Sequence, residues 1–196
     1  MTDPTTPIAI LLAYVLGSIP TGYWLGRTIR KIDIRQHGSK NIGATNTLRV
    51  LGKKLGALAL IGDIAKGLIA VLLIAQLSPW QHTPLACALA AILGHTFSLF
   101  LKFKGGKGVA TSAGALLGLT PIPMAIALTT FTITLAATRI VSLSSILAAA
   151  ALAAALWLTP NNPLPIQTIG SLIALIVIIR HRDNIKRIAT GTENKL

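Results

Sequence analysis

A basic stretch rich in glycine, KFKGGKGVATSAG at residues 102–114, combines residue types that bind phosphate. Glycines adopt backbone angles that other residues resist, and they let consecutive N–H groups converge on an anion. A helix beginning at Val109 would add unpaired N–H groups and its positive end. The candidate phosphate-binding residues are Lys104, Gly105, Gly106, Lys107, Gly108 and Thr111.

This stretch lacks the G-x-x-x-x-G-K-[ST] spacing of nucleotide-hydrolysing loops, and no strand is expected before it. Nucleotide hydrolysis is therefore not indicated. A flexible basic connection between two membrane spans is the simpler alternative.

A second polar segment, HGSKNIGATNTLRVLGKK at residues 37–54, contains more kinds of hydrogen-bond donor than a linker needs. Its candidate site residues are Ser39, Lys40, Asn41, Asn46 and Arg49. Thr45 or Asn46 could instead cap a short helix that carries Arg49, and the two interpretations are compatible.

A third polar segment, HRDNIKR at residues 181–187, follows the last apolar run. His181 and Asn184 are three residues apart and therefore share one helical face. Histidine is the side chain best suited to proton transfer near neutral pH, although a solvated helix end explains the segment equally well.

Ionisable residues also occur inside the apolar runs. Asp63 and Lys66 are spaced i, i+3 in GDIAKG, and mutual pairing is the simplest account of them. His95 could hydrogen-bond a neighbouring helix or help to shape the site.

The composition predicts the elements that must position these groups. Apolar residues make up 53% of the 196 residues and charged residues 12%, and the mean hydropathy is +0.70. These values predict one all-α domain, residues 1–196, that forms a polytopic integral membrane helical bundle. The single Cys87 leaves no disulfide framework, and no metal site or cofactor is expected.

The apolar runs predict seven transmembrane helices. The run at 109–138 is too long for one span, and Pro121–Ile122–Pro123 interrupts it. Splitting it there places all the basic clusters on one side, with the N-terminus outside and the C-terminus in the cytoplasm. The predicted spans are 7–26, 55–78, 83–101, 109–120, 122–138, 140–158 and 164–180.

Taken in order, several segments resemble one enzyme family. The chain resembles the bacterial acyl-phosphate:glycerol-3-phosphate acyltransferases of the PlsY type from about residue 14 to its C-terminus. The segments that carry the resemblance are GSIPTGYWLGR, GSKNIGATNTLR, GDIAKG, GHTFSLFLKFKGGKGVATSAG and HRDNIKRIATGTENK.

This resemblance implies a seven-span enzyme of the bacterial inner membrane with its active site facing the cytoplasm. The reaction moves a fatty acyl group from acyl phosphate to the 1-position of sn-glycerol 3-phosphate, which gives lysophosphatidic acid and phosphate in phospholipid biosynthesis. The expected partners are the two substrates and membrane lipid, without nucleic acid or an obligatory protein partner. The resemblance also implies a structural role for Glu193.

Two residues depart from the pattern of this family. Lys40 stands where glycine is frequent, and Ser98 stands where proline is common. Neither departure removes a group with a predicted chemical role, so they put the local shape in question rather than the activity.

The expected mechanism is based on positioning two phosphorylated substrates in a basic groove. The glycine-rich stretch binds one phosphate, with glycerol 3-phosphate favoured there, and the segment at residues 37–54 binds the other. Ser39 orients a substrate, and the proton passes either to His181 or to a substrate phosphate oxygen. The predicted catalytic set is Ser39, Arg49, Lys107, His181 and Asn184.

The main alternative is a membrane transporter for an organic phosphate. Transporter sites usually lie near the bilayer midplane between repeated halves. Here the polar clusters lie on one predicted face, and the sequence has no convincing internal repeat. A noncatalytic protein that binds anionic lipid would leave the mixture of Asn, Ser, Thr, His and Gly unexplained.

Overall fold

The computed structural model describes residues 3–196, and these residues form helices without any strand. The all-α prediction is thus confirmed for this part of the chain. The α-helices are α1 (Thr5–Ser18), α2 (Thr21–Leu25), α3 (Ala44–Leu51), α4 (Lys53–Leu72), α5 (Thr83–Thr96), α6 (Val109–Leu119), α7 (Pro121–Thr138), α8 (Val141–Leu158), α9 (Leu164–Ile179) and α10 (Arg182–Ala189).

Several helices are long and apolar enough to cross a membrane. Within residues 3–196, four continuous helical stretches qualify: Lys53–Leu77, Thr83–Leu101, Pro121–Thr138 and Val141–Leu158. Two bent pairs raise the number to six if each pair is one span: Thr5–Ser18 with Thr21–Arg30, and Leu164–Ile179 with Arg182–Ala189. The remaining predicted span corresponds to the shorter apolar helix Val109–Leu119.

The predicted interruption of the long apolar run is present. Helix α6 ends at Leu119 and α7 begins at Pro121, with Thr120 between them. Pro121 and Pro123 lie in the first turn of α7, where a missing N–H removes no intrahelical hydrogen bond. The chain divides at the same point into two compact units, Met1–Leu119 and Thr120–Leu196.

In the first unit, small residues let helices approach closely. A β-carbon on Gly67 of α4 would overlap the backbone oxygen of Thr111, and one on Gly114 of α6 would overlap that of Ile64. Helices α1 and α5 meet in the same way, because a β-carbon on Gly94 would overlap the carbonyl oxygen of Tyr14. Small residues at helix interfaces are typical of membrane proteins. In lipid, the hydrophobic effect gives little driving force for helix association, so close packing matters more.

In the second unit, α8 packs against both α7 and α9. Gly170 of α9 faces Leu156 of α8, and a β-carbon there would meet the Leu156 side chain 2.5 Å away. The C-terminal residues fold back within this unit, where the Leu196 amide donates to the carbonyl oxygen of Arg139 at 2.8 Å.

Candidate active site

The polar segment at residues 37–54, called the first segment below, is organised around Asn46. The Asn46 side chain is 1% exposed. Its Nδ2 donates to the carbonyl oxygens of Asn41 at 2.8 Å and Ile34 at 2.9 Å, and the His37 carbonyl oxygen at 3.2 Å shares one of these two protons. Its Oδ1 accepts from the Ser39 amide at 2.8 Å. The side chain therefore holds the turn before α3 together and positions Ser39. Its polar atoms bond the backbone and do not point to a ligand.

The other predicted residues of this segment surround that turn. Ser39 and Asn41 are half-buried, and Lys40 is exposed. The Asn41 Oδ1 accepts from the Gly43 amide at 3.0 Å, which fixes the turn into α3. Arg49 lies half-buried in the last turn of α3, on the same helical face as Asn46.

Lys40, one of the two departures from the family pattern, has a backbone conformation that suits glycine. Its φ is +59°, in the left-handed region that glycine adopts without cost. The lysine retains the required turn and adds a cationic side chain to the surface.

The glycine-rich segment, residues 104–111, lies on the C-terminal end of α5. The Gly105 amide donates to the Thr96 carbonyl oxygen at 3.1 Å, and the Gly106 amide donates to that of His95 at 3.0 Å. A β-carbon on Gly105 would overlap the His95 carbonyl oxygen. These two glycines therefore serve close backbone packing, and their amides are directed at α5 rather than at a converging anion site.

The predicted helix start at Val109 is present, and it leaves polar groups in need of partners. Gly108, at φ +80°, turns the chain into α6, whose first turn contributes amides without intrahelical partners. The hydroxyls of Thr96, Thr111 and Ser112 are buried and have no hydrogen-bond partner among the described residues. The Thr96 and Ser112 oxygens lie 3.2 Å and 3.8 Å from the point where a Gly108 β-carbon would stand. Buried polar atoms of this kind usually indicate a bound water, ion or ligand.

Thr96 is a residue that the sequence did not single out. A threonine at the end of an apolar helix carries no periodic or motif signal, and only the fold brings its hydroxyl to Gly108.

The first segment and the glycine-rich segment touch each other. A β-carbon on Gly106 would lie 3.3 Å from Cγ1 of Ile42, which is buried next to Asn41. The two predicted phosphate-binding segments are thus neighbours in the first unit.

The charge around these two segments is positive. Lys40 and Lys104 are exposed and Lys107 is half-buried. Asp33 is engaged elsewhere by Arg35 at 2.7 Å, and this hydrogen-bonded guanidinium lowers the pKa of Asp33 to about 2. Asp63 pairs with Lys66 at 2.8 Å inside the unit. The arrangement favours an anionic ligand.

The tail segment, residues 181–195, belongs to the second unit. His181 is buried, and its Nδ1 lies 2.7 Å from the Val177 carbonyl oxygen. Because a carbonyl only accepts, this contact places a proton on Nδ1 and the lone pair of a neutral ring on Nε2. A histidine held in that tautomer can act as a base through Nε2.

Glu193 connects α10 of the tail segment to α8. Its Oε1 accepts from Asn184 at 2.7 Å and from Ser142 at 2.9 Å, and its Oε2 accepts from Arg187 at 2.7 Å. Burial raises the pKa of Glu193, but the hydrogen bonds from Asn184, Arg187 and Ser142 outweigh it and lower the pKa overall. This set of contacts supports the structural role that the resemblance implies, and it fixes the orientation of Asn184.

The comparisons with known proteins show the family of the chain. The family model described as "Glycerol-3-phosphate acyltransferase" matches residues 7–191. The chain belongs to the glycerol-3-phosphate acyltransferase family. A relative with that name from Geotalea daltonii is 48% identical over 187 residues, 95% of each chain. Another from Trichlorobacter lovleyi is 49% identical over 184 residues, 93% of each chain.

Two solved structures share this fold. One is PlsY (YgiH), described as an integral membrane glycerol 3-phosphate acyltransferase, in its glycerol 3-phosphate form. It has a TM-score of 0.90 and 34% identity, over 97% of this chain and 95% of that chain. The lysophosphatidic acid form has a TM-score of 0.88 and 33% identity over the same shares. This glycerol-3-phosphate acyltransferase is therefore an all-helical integral membrane enzyme.

Proposed function

We propose that this enzyme transfers a fatty acyl group from acyl phosphate to the 1-position of sn-glycerol 3-phosphate, giving lysophosphatidic acid and inorganic phosphate. One observation carries the proposal. The chain matches, along nearly its whole length, a PlsY enzyme that has been solved in a glycerol 3-phosphate form and in a lysophosphatidic acid form. These compounds are the acceptor and the product of the proposed reaction.

The reaction itself needs little covalent chemistry from the protein. The 1-oxygen of glycerol 3-phosphate bonds to the acyl carbonyl carbon, and the bond from that carbon to the phosphate oxygen breaks. The hydroxyl proton passes to a base, and phosphate leaves. Since the donor already has a good leaving group, positioning and charge stabilisation supply most of the acceleration.

We assign the phosphate groups of the two substrates to the two adjacent basic segments of the first unit. Glycerol 3-phosphate binds at the start of α6, where Lys107, the first-turn amides and the hydroxyls of Thr111 and Ser112 would meet its phosphate. The three buried hydroxyls without protein partners support this assignment. The phosphate of the donor binds the first segment through Lys40, Asn41 and Arg49.

Within the first segment, Ser39 orients a substrate and Asn46 holds Ser39 in place through the backbone contacts described above. The proton acceptor is His181 or a phosphate oxygen of a substrate. Asn184, three residues after His181 in the second unit, is held by its hydrogen bond to Glu193.

We further propose seven spans in the bacterial inner membrane, with the N-terminus outside and the active site and C-terminus facing the cytoplasm. The six candidate spans together with Val109–Leu119 supply the helices, and the basic clusters would then all lie on the cytoplasmic side. The topology can be tested by labelling single cysteines in a Cys87→Ser background with an impermeant maleimide. Asn161→Cys should react in intact spheroplasts and Lys195→Cys only after permeabilisation, and the reverse pattern would refute this orientation.

The function is tested with purified protein in detergent or lipid mesophase, supplied with glycerol 3-phosphate and either palmitoyl phosphate or palmitoyl-CoA. Release of phosphate together with lysophosphatidic acid is expected from palmitoyl phosphate alone. Arg49→Gln should lose most of this activity, whereas Arg182→Gln, a tail-segment arginine with an 80% exposed side chain, is the matched control. Product from palmitoyl-CoA alone would overturn the assignment of the donor.

A further inference from the structure

A network of ionisable side chains lies buried inside the first unit. Asp63 and Lys66 of α4 form an ion pair at 2.8 Å, and their side chains are only 2% and 5% exposed. Thr21 donates to the same Asp63 oxygen at 3.0 Å. Burying a charge pair costs desolvation, and well-packed apolar residues are often at least as stable, so such a pair calls for an explanation.

Lys66 also contacts groups on two other helices. Its Nζ donates to the carbonyl oxygen of Ile19 at 2.8 Å, at the C-terminal end of α1, and the carbonyl oxygen of Gly17, at 3.3 Å, shares one of the three ammonium protons. The same Nζ lies 3.2 Å from Nδ1 of His95 on α5. One ammonium group therefore connects α1, α4 and α5 at a single point.

The contact between Lys66 and His95 selects the tautomer of the histidine. An ammonium can only donate, so Nδ1 of His95 is the acceptor and the ring proton lies on Nε2. Asp63 keeps this ammonium in place, with its Oδ1 also 3.7 Å from the histidine Nδ1.

The opposite edge of the His95 ring faces the glycine-rich segment. A β-carbon on Gly106 would overlap Nε2 of His95, and the Gly106 amide donates to the His95 backbone oxygen at 3.0 Å. His95 thus contacts the glycine-rich segment through both its backbone and the Nε2 edge of its ring. The contact is at Gly106, the residue before Lys107.

We propose that Asp63, Lys66 and His95 form a positioning network that sets the glycine-rich segment for phosphate binding, with Lys66 fixing the ring proton of His95 on the nitrogen that faces Gly106. The network acts through the glycine-rich segment, so its members are positioning residues. The proposal rests on the proposed function, since that function defines what the glycine-rich segment binds.

Two substitutions of His95 separate the roles of its two nitrogens. Glutamine places an amide nitrogen near the position of Nε2 and retains a donor toward the segment. Asparagine places an oxygen near the position of Nδ1, so it keeps an acceptor for Lys66 but loses the donor. His95→Gln should keep the KM for glycerol 3-phosphate within about threefold of wild type, whereas His95→Asn should raise it about tenfold to a hundredfold.

The thermal unfolding midpoint distinguishes positioning from plain packing. The inference predicts similar midpoints for His95→Gln and His95→Asn with different KM values. Equal KM values for the two variants, or KM changes that only follow the loss of thermal stability, would overturn it.

A second variant tests the ion pair. Lys66→Met alone would strand a buried carboxylate and could prevent folding, so the double variant Asp63→Asn with Lys66→Met removes both charges together. We expect this folded double variant to raise the KM for glycerol 3-phosphate as His95→Asn does, because nothing then fixes the ring tautomer. A wild-type KM in the double variant would refute the role of Lys66.

A binding measurement without catalysis keeps this inference separate from the proposed function. Glycerol 3-phosphate should raise the unfolding midpoint of the wild type and of His95→Gln, and it should do so less for His95→Asn. If the wild type transfers acyl groups and His95→Asn is stabilised as strongly as wild type, the positioning network alone is refuted. If the wild type shows no acyl transfer and glycerol 3-phosphate does not raise its unfolding midpoint, the proposed function is refuted. The positioning network, which rests on that function, is then refuted too.

Discussion

The imidazole of His95 occupies the space that a side chain on Gly106 would need. A β-carbon at that position would overlap Nε2 of the ring, and it would also lie 3.3 Å from Ile42. Gly106 is therefore enclosed between α5 and the first segment. Any side chain there must displace one of these neighbours or lift the glycine-rich segment from α5.

Gly106→Ala should therefore impair substrate binding more than folding. The displaced segment would move Lys107 and the start of α6, which the proposed function assigns to the phosphate of glycerol 3-phosphate. We expect the KM for one phosphorylated substrate to rise about tenfold to a hundredfold, as measured by initial rates with each substrate varied in turn.

Gly43→Ala is the matched control for this substitution. Gly43 starts α3 with φ −75°, and a β-carbon there meets only Asn41 Oδ1 at 3.5 Å, an ordinary contact. The control should behave like wild type. Wild-type kinetics for both substrates in Gly106→Ala would show that the glycine-rich segment does not bind phosphate.

Asn46→Ala should lower both thermal stability and kcat/KM. It leaves buried backbone groups around Ile34 and Ser39 without their partner, at a cost of about 1–3 kcal/mol for each unsatisfied group. The Ser39 turn would then relax. Gln36→Ala, an exposed change in the same turn region, is the control and should leave both quantities near wild type. Full activity in a destabilised Asn46→Ala protein would show that catalysis does not depend on the Ser39 turn.

His181→Ala decides between the two proton acceptors. If the imidazole is the base, single-turnover rates should fall about 10²-fold to 10⁴-fold and the pH profile should lose the limb that reports its ionisation. Turnover close to wild type with an unchanged profile would assign the proton to a substrate phosphate oxygen. The unfolding midpoint is measured in parallel, because His181 also bonds the Val177 carbonyl oxygen.

The sequence predicted the helices well because hydrophobic runs and their interruptions are local signals. The break before Pro121 lies within one residue of its predicted position, and α6 begins at the predicted Val109. The number of spans is harder to predict, since Val109–Leu119 is short and two other candidates are bent pairs. Length and hydropathy alone do not assign such helices to the bilayer.

The sequence singled out the segments of the candidate site but not the contacts that each residue makes within them. Glycines suggested converging amides, whereas Gly105 and Gly106 direct their amides to the backbone of α5. Asn46 had been expected to bind phosphate, yet its side chain holds the turn around Ser39. Such partners come from distant parts of the fold, so motif spacing contains no information about them.

Glu193 provides a stabilising contact that depends on pH. Its carboxylate accepts from Ser142, Asn184 and Arg187, and these contacts stabilise the ionised form over the neutral one. The folded state lowers the pKa of this group below that of the unfolded chain. The contribution is therefore complete above the ordinary pKa of glutamate and is lost as the pH falls through the lower, folded value.

Glu193→Gln should accordingly lower the unfolding midpoint at pH 7, by the equivalent of about 1–3 kcal/mol, and should flatten the fall in stability on acidification. At a pH below the folded pKa the two proteins should converge, because the wild-type carboxyl is then also neutral. Midpoints measured from pH 7 downward would show this difference. Asp183→Asn, at a side chain 71% exposed, is the control and should follow the wild-type curve. A constant difference between wild type and Glu193→Gln at every pH would mean that the glutamate contributes through shape rather than charge.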